Sequence, residues 1–416
     1  MPRRDADALL RRGFPYGATV MLDGTAPFVS LRYEVTEVDR VAGVVELRFE
    51  RDPGDTLQTV SLDQLERAAL TGRLDLTRGR VRRPESADGS SFAWPFTHFV
   101  GPQSSGDDPF RARLRLHQSW WRTFRLRVPF GTGPARAAAT PYGNMLRPEH
   151  GDVGLNFCSP EAHTAFRGCL AVRRTGVKAW DTAHNLLTSQ TMCFNVFGHL
   201  RQHPDLAAAF FTDILGEHLG SAVDGIELEH HSDAIRDRTA FDAYALRADA
   251  GAVAIETKLT EPFSQQQYDW HRYLRTCAAA TGRWNTTDPS VLGNRKWSQL
   301  WRNHLLAVAE HLRTIGHQCG NRADGCRDAH PGGGSSWPKV MVVHHPLDAK
   351  CIAAVDGYRG LLAEPDDVVR VDLQGVVDSL RRLAGDDPRH CRWIDRLEER
   401  YLRLDLSEPL LRLAPN

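Results

Sequence analysis

The stretch FDAYALRADAGAVAIETKL, Phe241 to Leu259, holds two strand-like runs separated by the turn residues Asp249 and Gly251. Runs this close can pair as an antiparallel hairpin. The stretch also carries two acids and a lysine, Asp242, Glu256 and Lys258, which strands packing a core rarely include. With Asp249 at the centre, Asp242 lies opposite Glu256; a shift of two residues puts it opposite Lys258. Both registers keep the three charges on one face. Phe241, Ala243, Ile255 and Thr257 fall on the other, where the core is expected.

Two carboxylates facing each other across a strand pair repel, and a divalent cation relieves that repulsion. Magnesium takes oxygen ligands and commonly binds one or two carboxylates beside water and a substrate phosphate. A lysine two positions further on could orient or deprotonate an attacking water, or offset charge on a phosphorane-like transition state. The set suits metal-assisted phosphodiester hydrolysis. The plainer reading is an exposed hairpin with one Glu–Lys pair. Lysine is scarce in this arginine-rich chain, occurring only at 178, 258, 296, 339 and 350, which weighs against chance placement of Lys258.

The 416 residues are too many for one ordinary core. A hydrophobic share of 41% and a charged share of 25% are ordinary for a globular protein. No apolar run approaches a membrane span. The opening MPRRDADALLRRGF lacks an apolar segment, so a secretory signal is not read there and the expected location is the cytoplasm. The net charge of zero argues against nucleic-acid binding by bulk charge. The eight cysteines are expected to be reduced and mostly buried.

Residues 1–82 read as a small β module of SH3-like, barrel-like type, with alternation at Tyr33, Val35, Glu37 and at Val45, Leu47, Phe49 and a closing helix in LDQLERAALTG. Residues 83–109 are rich in Pro, Gly, Ser and Asp and read as a linker. The segment 110–136 carries Arg111, Arg113, Arg115, Arg122, Arg125, Arg127 and Arg136 and no acid. Its RARLRLH spacing is strand-like, and the arginines could contact phosphate while Trp120 and Trp121 stack on bases. Alternatively it is an edge strand kept soluble by arginine, with both tryptophans in the core. Further on, helices are expected over 182–202, 204–219, 264–280, 296–315, 373–385 and 391–404, with strands over 225–229, 239–247, 252–259 and 338–346.

His317, Cys319, Cys326 and His330 could hold zinc, but their spacing matches no common zinc pattern and a flexible loop is the better reading. His344 and His345 close a strand and suggest a structural role or DNA contact. No G-x-S-x-G and no phosphate-binding G-x-x-x-x-G-K-[ST] loop occurs, so translocation would need a partner NTPase.

The order helix, three strands carrying acids and lysine, then helix and strand resembles the PD-(D/E)XK nuclease superfamily. Within it, the chain is similar to a bacterial family of restriction-endonuclease-like proteins, on the motifs YGNML (142–146), GLNF (154–157), NLLTSQTMCFNVFG (185–198), DRTAFDAYA (237–245), IETKLTEPFS (255–264), QLWRNHLLA (299–307) and RYLRL (400–404). The resemblance implies an α/β restriction-endonuclease-like domain over 110–416, with a mixed central sheet flanked by helices. It implies Mg2+ or Mn2+ held by Asp242, Glu256 and the Thr257 carbonyl, with Lys258 as the catalytic lysine. Many members add an acid from the first helix, where this chain offers only Ser189, Gln190 and Asn195. Glu229 or Glu261 could replace it. Gln190, Gln299 and Arg302 are candidates for DNA contact, although Gln299 and Arg302 also fit the polar face of an exposed helix. The expected activity is DNA cleavage, in restriction or defence against mobile DNA, and cutting both strands would take two sites, which a homodimer supplies. The other reading is a catalytically silent DNA-binding or assembly subunit on a nuclease-like fold.

Overall fold

In the computed structural model the hairpin adopts the register centred on Asp249, with Ala252 facing Leu246 and Ile255 facing Ala243. The structure describes residues 100–408 apart from 134–139, 173–175, 217–222, 233, 236–238, 248–250, positions scattered through 267–281, and 315–336. It also describes the backbone of five N-terminal strands: β1 (Thr19–Asp23), β2 (Ser30–Asp39), β3 (Val44–Phe49), β4 (Leu57–Ser61) and β5 (Leu74–Asp75). These pair antiparallel in the order β4-β3-β2-β1-β5. The helix expected after them, most of the linker, and the His317–His330 group lie outside the described residues.

Two compact units are present: residues 1–156 with 184–186 and 403–416, and residues 157–183 with 187–402. In the first, the arginine-rich segment is a helix, α1 (Pro109–Trp120), continued by a π-helical turn at Trp121–Leu126. This corrects the strand read from the alternating arginines. Asp108 caps the helix by accepting the Arg111 N–H at 2.9 Å, and Pro109 occupies its first position. Leu116, Trp120 and Phe124 recur every fourth residue and pack with Val100, Leu146 and Leu186. That buried stripe, with helical period, outweighs the period-two arginines. A two-strand ladder of β6 (Phe130–Thr132) and β7 (Pro141–Leu146) completes this part.

The second unit contains α2 (Pro160–Leu170), α3 (Ser189–Cys193, extended by a π turn over Phe194–Gly198), α4 (Pro204–Leu215), β8 (Val223–His231), β9 (Ala240–Arg247), β10 (Ala252–Lys258) and α5 (Ser298–Thr314). It continues with β11 (Lys339–His344), α6 (Ala349–Arg359), β12 (Val368–Asp372), α7 (Leu373–Leu383) and α8 (Pro388–Tyr401). The sheet order is β12-β11-β10-β9-β8. Its β8–β9–β10 half is antiparallel and its β10–β11–β12 half parallel. A mixed sheet flanked by helices is the expected α/β architecture.

Three details differ from expectation. The helix expected over 182–202 is broken by turns around 186–188, where Thr188 caps α3. The chain at 264–266 is not helical. The strand β12 and helix α6 had no reading in the sequence.

The placement of the core is also corrected. Every residue of β10 is buried. On the parity of Glu256 and Lys258, Ala252 and Ala254 pack with Tyr244, Val340 and Val342 against Leu300, Trp301, Leu305 and Leu312. The charges therefore share their face with a core, while Ala243, Ile255 and Thr257 on the opposite face are buried as expected. α5 covers that face, as α4 packs on β8. A central strand with parallel pairing is covered on both sides, so alternation in one strand could not reveal which face was wet.

Candidate active site

The β9–β10 ladder stops at Ile255 and Ala243. One step further, where Asp242 comes opposite Glu256, a side chain replaces the ladder. Asp242 Oδ2 accepts the Thr257 N–H and the Thr257 hydroxyl, both at 2.7 Å. The carboxylate thus fills the gap where the strands part, against the residue between Glu256 and Lys258. On its other side β8 pairs Leu228 with Ala243 and His230 with Phe241. That puts Glu229 at the position facing Asp242. Glu229, Asp242 and Glu256 therefore form a row across three neighbouring strands. Glu229 has a φ of +54°, a backbone strain for a non-glycine residue.

Glu256 and Lys258 form a buried ion pair, with Nζ to Oε1 at 2.7 Å. Gln299 Nε2 donates to the same oxygen at 2.7 Å, and Asn303 Nδ2 to Oε2 at 2.8 Å. Gln299 Oε1 in turn accepts the Ser264 N–H at 2.6 Å, which fixes which way its amide faces. Gln299 and Asn303 are one helical turn apart, so α5 presents both to the pair. Asn303 was missed in the sequence; the signal was the Q-x-x-x-N spacing in QLWRNHLLA. Arg302 is buried.

The remaining sequence candidates divide by what they touch. Gln190 Nε2 donates to Glu229 Oε1 at 2.5 Å, while its Oε1 accepts from the Lys178 N–H and the Thr182 hydroxyl. It holds Glu229 in place. Glu261 spends its oxygens on the Ser189 and Thr260 N–H groups at 3.0 and 3.1 Å. Asn195 is structural, accepting from the Cys158 N–H and donating to the Tyr401 hydroxyl. His344 and His345 are buried and bonded to the carbonyls of His345 and Tyr401. In the first unit Arg113 bonds Ser407 and the Leu404 carbonyl, Arg115 bonds Asp107 and Asn144, and Arg122 bonds the Gly143 and Val128 carbonyls. Arg111 pairs with Asp107 at 3.1 Å and keeps a partly exposed side chain, and Arg125 lies over the Trp120 ring. Trp120 and Trp121 are core residues.

The electrostatics fit a cation. Burial and the charge of Glu256 raise Asp242 to about 7, against the Thr257 hydrogen bonds. Burial and Asp242 raise Glu229 to about 8. Burial would lower the Lys258 ammonium, but Glu256, Asp242 and Glu261 outweigh it and hold its pKa above the usual value. Lys258 thus sits beside Glu256 and Asp242, with Glu229 next to Asp242. Asp242 Oδ1 accepts no hydrogen bond among the described residues, and Glu256 Oε2 accepts one. An all-oxygen set with open lone pairs suits a hard divalent cation.

The mixed sheet that carries this acid–acid–lysine row is matched by one family comparison. The model of the PD-(D/E)XK nuclease superfamily matches residues 105–403, and the chain belongs to that superfamily. Membership indicates metal-dependent nuclease chemistry. No curated protein and no solved structure matches the chain. Among the described residues no helix is long and apolar enough to cross a membrane.

Proposed function

We propose that the protein is a Mg2+- or Mn2+-dependent nuclease acting on DNA, with Asp242, Glu256 and Lys258 as its catalytic residues. The observation carrying this reading is the buried Lys258–Glu256 pair, braced by Gln299 and Asn303 beside the Asp242 carboxylate. Asp242, Glu256 and the Thr257 carbonyl hold the cation. Glu229 is a better supplement than Glu261, whose oxygens already accept the Ser189 and Thr260 N–H groups. When bound, the cation supplies Lewis acidity toward a phosphodiester oxygen and the attacking water. Lys258 stays protonated next to its carboxylates and offers an N–H to the charge developing on phosphate. Gln299 and Asn303 hold the Glu256 carboxylate in one rotamer, which keeps its lone pairs aimed.

The N-terminal sheet, as a small barrel, together with Arg111 and Arg125, adds contacts to the phosphate backbone. A homodimer would supply the second site for cutting a duplex, and the resemblance to restriction-type proteins suggests a role against mobile DNA. The test is nicking of supercoiled plasmid and of single-stranded DNA by purified protein with Mg2+, Mn2+ or EDTA. Metal-dependent cleavage that disappears in Glu256→Ala and Lys258→Ala, with folding and DNA binding kept, supports the enzyme. Tight DNA binding without cleavage under any metal would instead establish a silent binding subunit.

A further inference from the structure

Three imidazoles meet in the second unit outside the carboxylate row. His199 follows the π turn after α3, His203 immediately precedes α4, and His390 lies in the first turn of α8. One ring nitrogen of each lies within 4.8 Å of the others. His199 Nε2 and His390 Nδ1 are 3.1 Å apart. Two nitrogens bound to one tetrahedral zinc at about 2.0–2.1 Å are themselves roughly 3.3 Å apart. The pair is therefore already close to the edge length of such a site.

The surroundings have the form of a ligand support. His199 Nδ1 faces Ser159 Oγ at 3.0 Å and Glu161 Oε2 at 3.5 Å, which turns Nε2 toward the other two rings. A ligating histidine characteristically has such an oxygen partner on its other nitrogen. Trp393 stacks on the His199 ring at 3.8 Å and holds its plane. His203 Nε2 is buried without a hydrogen-bond partner, and the nearest carboxylate oxygen, Glu161 Oε1, is 3.9 Å away. Burial, then the neighbouring imidazoles, hold His199 at about 3 and His203 below its usual value. His199 and His203 thus favour the neutral form, the one that binds metal. A single hydrogen bond between His199 and His390 satisfies two of the three rings and leaves His203 unaccounted for. The side chains of His203 and His390 are 21% and 13% exposed, which opens a path for an ion.

We propose that His199, His203 and His390 bind a zinc-class transition-metal ion, oriented by Ser159 and Glu161 and clasping the starts of α2, α4 and α8. The nitrogen donors separate it from the oxygen-lined nuclease site, which favours a harder cation. The H-x-x-x-H spacing of His199 and His203 was its trace in the sequence. This inference stands independently of the nuclease reading.

The test uses full-length, untagged protein, because a histidine tag would bind the same ions. An Asp242→Asn/Glu256→Gln background removes the competing carboxylate site. After stripping with chelator, metal analysis and competition with a chromophoric chelator should find one zinc per chain. His203→Ala and His390→Ala should each weaken binding by about 100-fold or more while circular dichroism stays unchanged. Less than one zinc per chain at micromolar metal, or full retention in the His203→Ala/His390→Ala double variant, would overturn the proposal. Should a variant not fold, cobalt loading of the unmutated protein decides. The intense visible bands of a tetrahedral nitrogen site support the clasp, and only the weak spectrum of an octahedral oxygen site refutes it.

Discussion

Lys258→Met separates the structural role of the buried ion pair from its chemistry. The substitution keeps the volume of the side chain and removes its charge. In the protein the Lys258 and Glu256 side chains are 8% and 6% exposed, with Nζ on Oε1 at 2.7 Å. Without the ammonium, Glu256 keeps only the Gln299 and Asn303 amides and faces the charge of Asp242. Removing one partner of a buried pair costs about 3–5 kcal/mol, because the other charge is left uncompensated. The cation–π contact of Nζ with the Phe263 ring, 5.0 Å away, is lost as well. In a unit of about 240 residues a loss of 3 kcal/mol lowers the melting temperature by roughly 6–12 °C. Glu256→Gln/Lys258→Met removes both charges and should recover most of that loss, since the paired desolvation cost disappears too. Neither variant should cleave DNA. The assay is urea unfolding followed by tryptophan fluorescence and far-UV circular dichroism, run beside plasmid nicking. If Lys258→Met proves as stable as the wild type, the pair is not compensating buried charge and the argument fails at its first step. If the double variant is less stable than either single one, the pair stabilises the fold beyond its own desolvation cost, contrary to the reasoning.

Asn303→Leu leaves Glu256 Oε2 without its donor at 2.8 Å, which should cost about 1–3 kcal/mol in urea unfolding; no change would mean that water reaches that oxygen. His304 is buried with Nδ1 at 3.1 Å from the Tyr358 hydroxyl, and burial, then Arg283 and Lys339, lower its pKa to about 3. Because the unfolded chain takes up that proton near pH 6.5 and the folded one does not, stability falls as pH drops from about 6.5 toward 3, by up to about 1.4 kcal/mol per unit from this residue. His304→Asn should flatten the slope of unfolding free energy against pH in that window, and an unchanged slope would contradict the assignment. Arg111→Ala and Arg125→Ala should each reduce the slope of log K against log salt for duplex DNA by about 0.9, measured by fluorescence anisotropy; unchanged slopes would remove both from the phosphate contacts.

The sequence was most informative where spacing and chemistry coincide. Of the two hairpin registers the sequence allowed, the one pairing Ala252 with Leu246 is observed, and the strand that carries Glu256 and Lys258 was placed to within a residue of its observed end. The arginine-rich segment misled because two periods overlap in it. Arginines alternate as in a strand, while Leu116, Trp120 and Phe124 repeat as in a helix, and burial decides in favour of the apolar set. Asn303 escaped notice because its four-residue spacing from Gln299 puts the two amides on one helix face without telling which carboxylate they will meet.

By itself, then, the sequence determined which residue types lie within a few positions of each other: a hairpin, its parity and its three charges. Those depend on chain geometry over fewer than about twenty residues, where strand period and turn chemistry dominate. Tertiary structure alone decided that α5 would cover the charged face, that Glu229 would join the row from β8, and that His390 would come to His199 from 191 positions away. Such meetings depend on which surfaces bury best against one another, a property of the whole packed unit that no local spacing encodes.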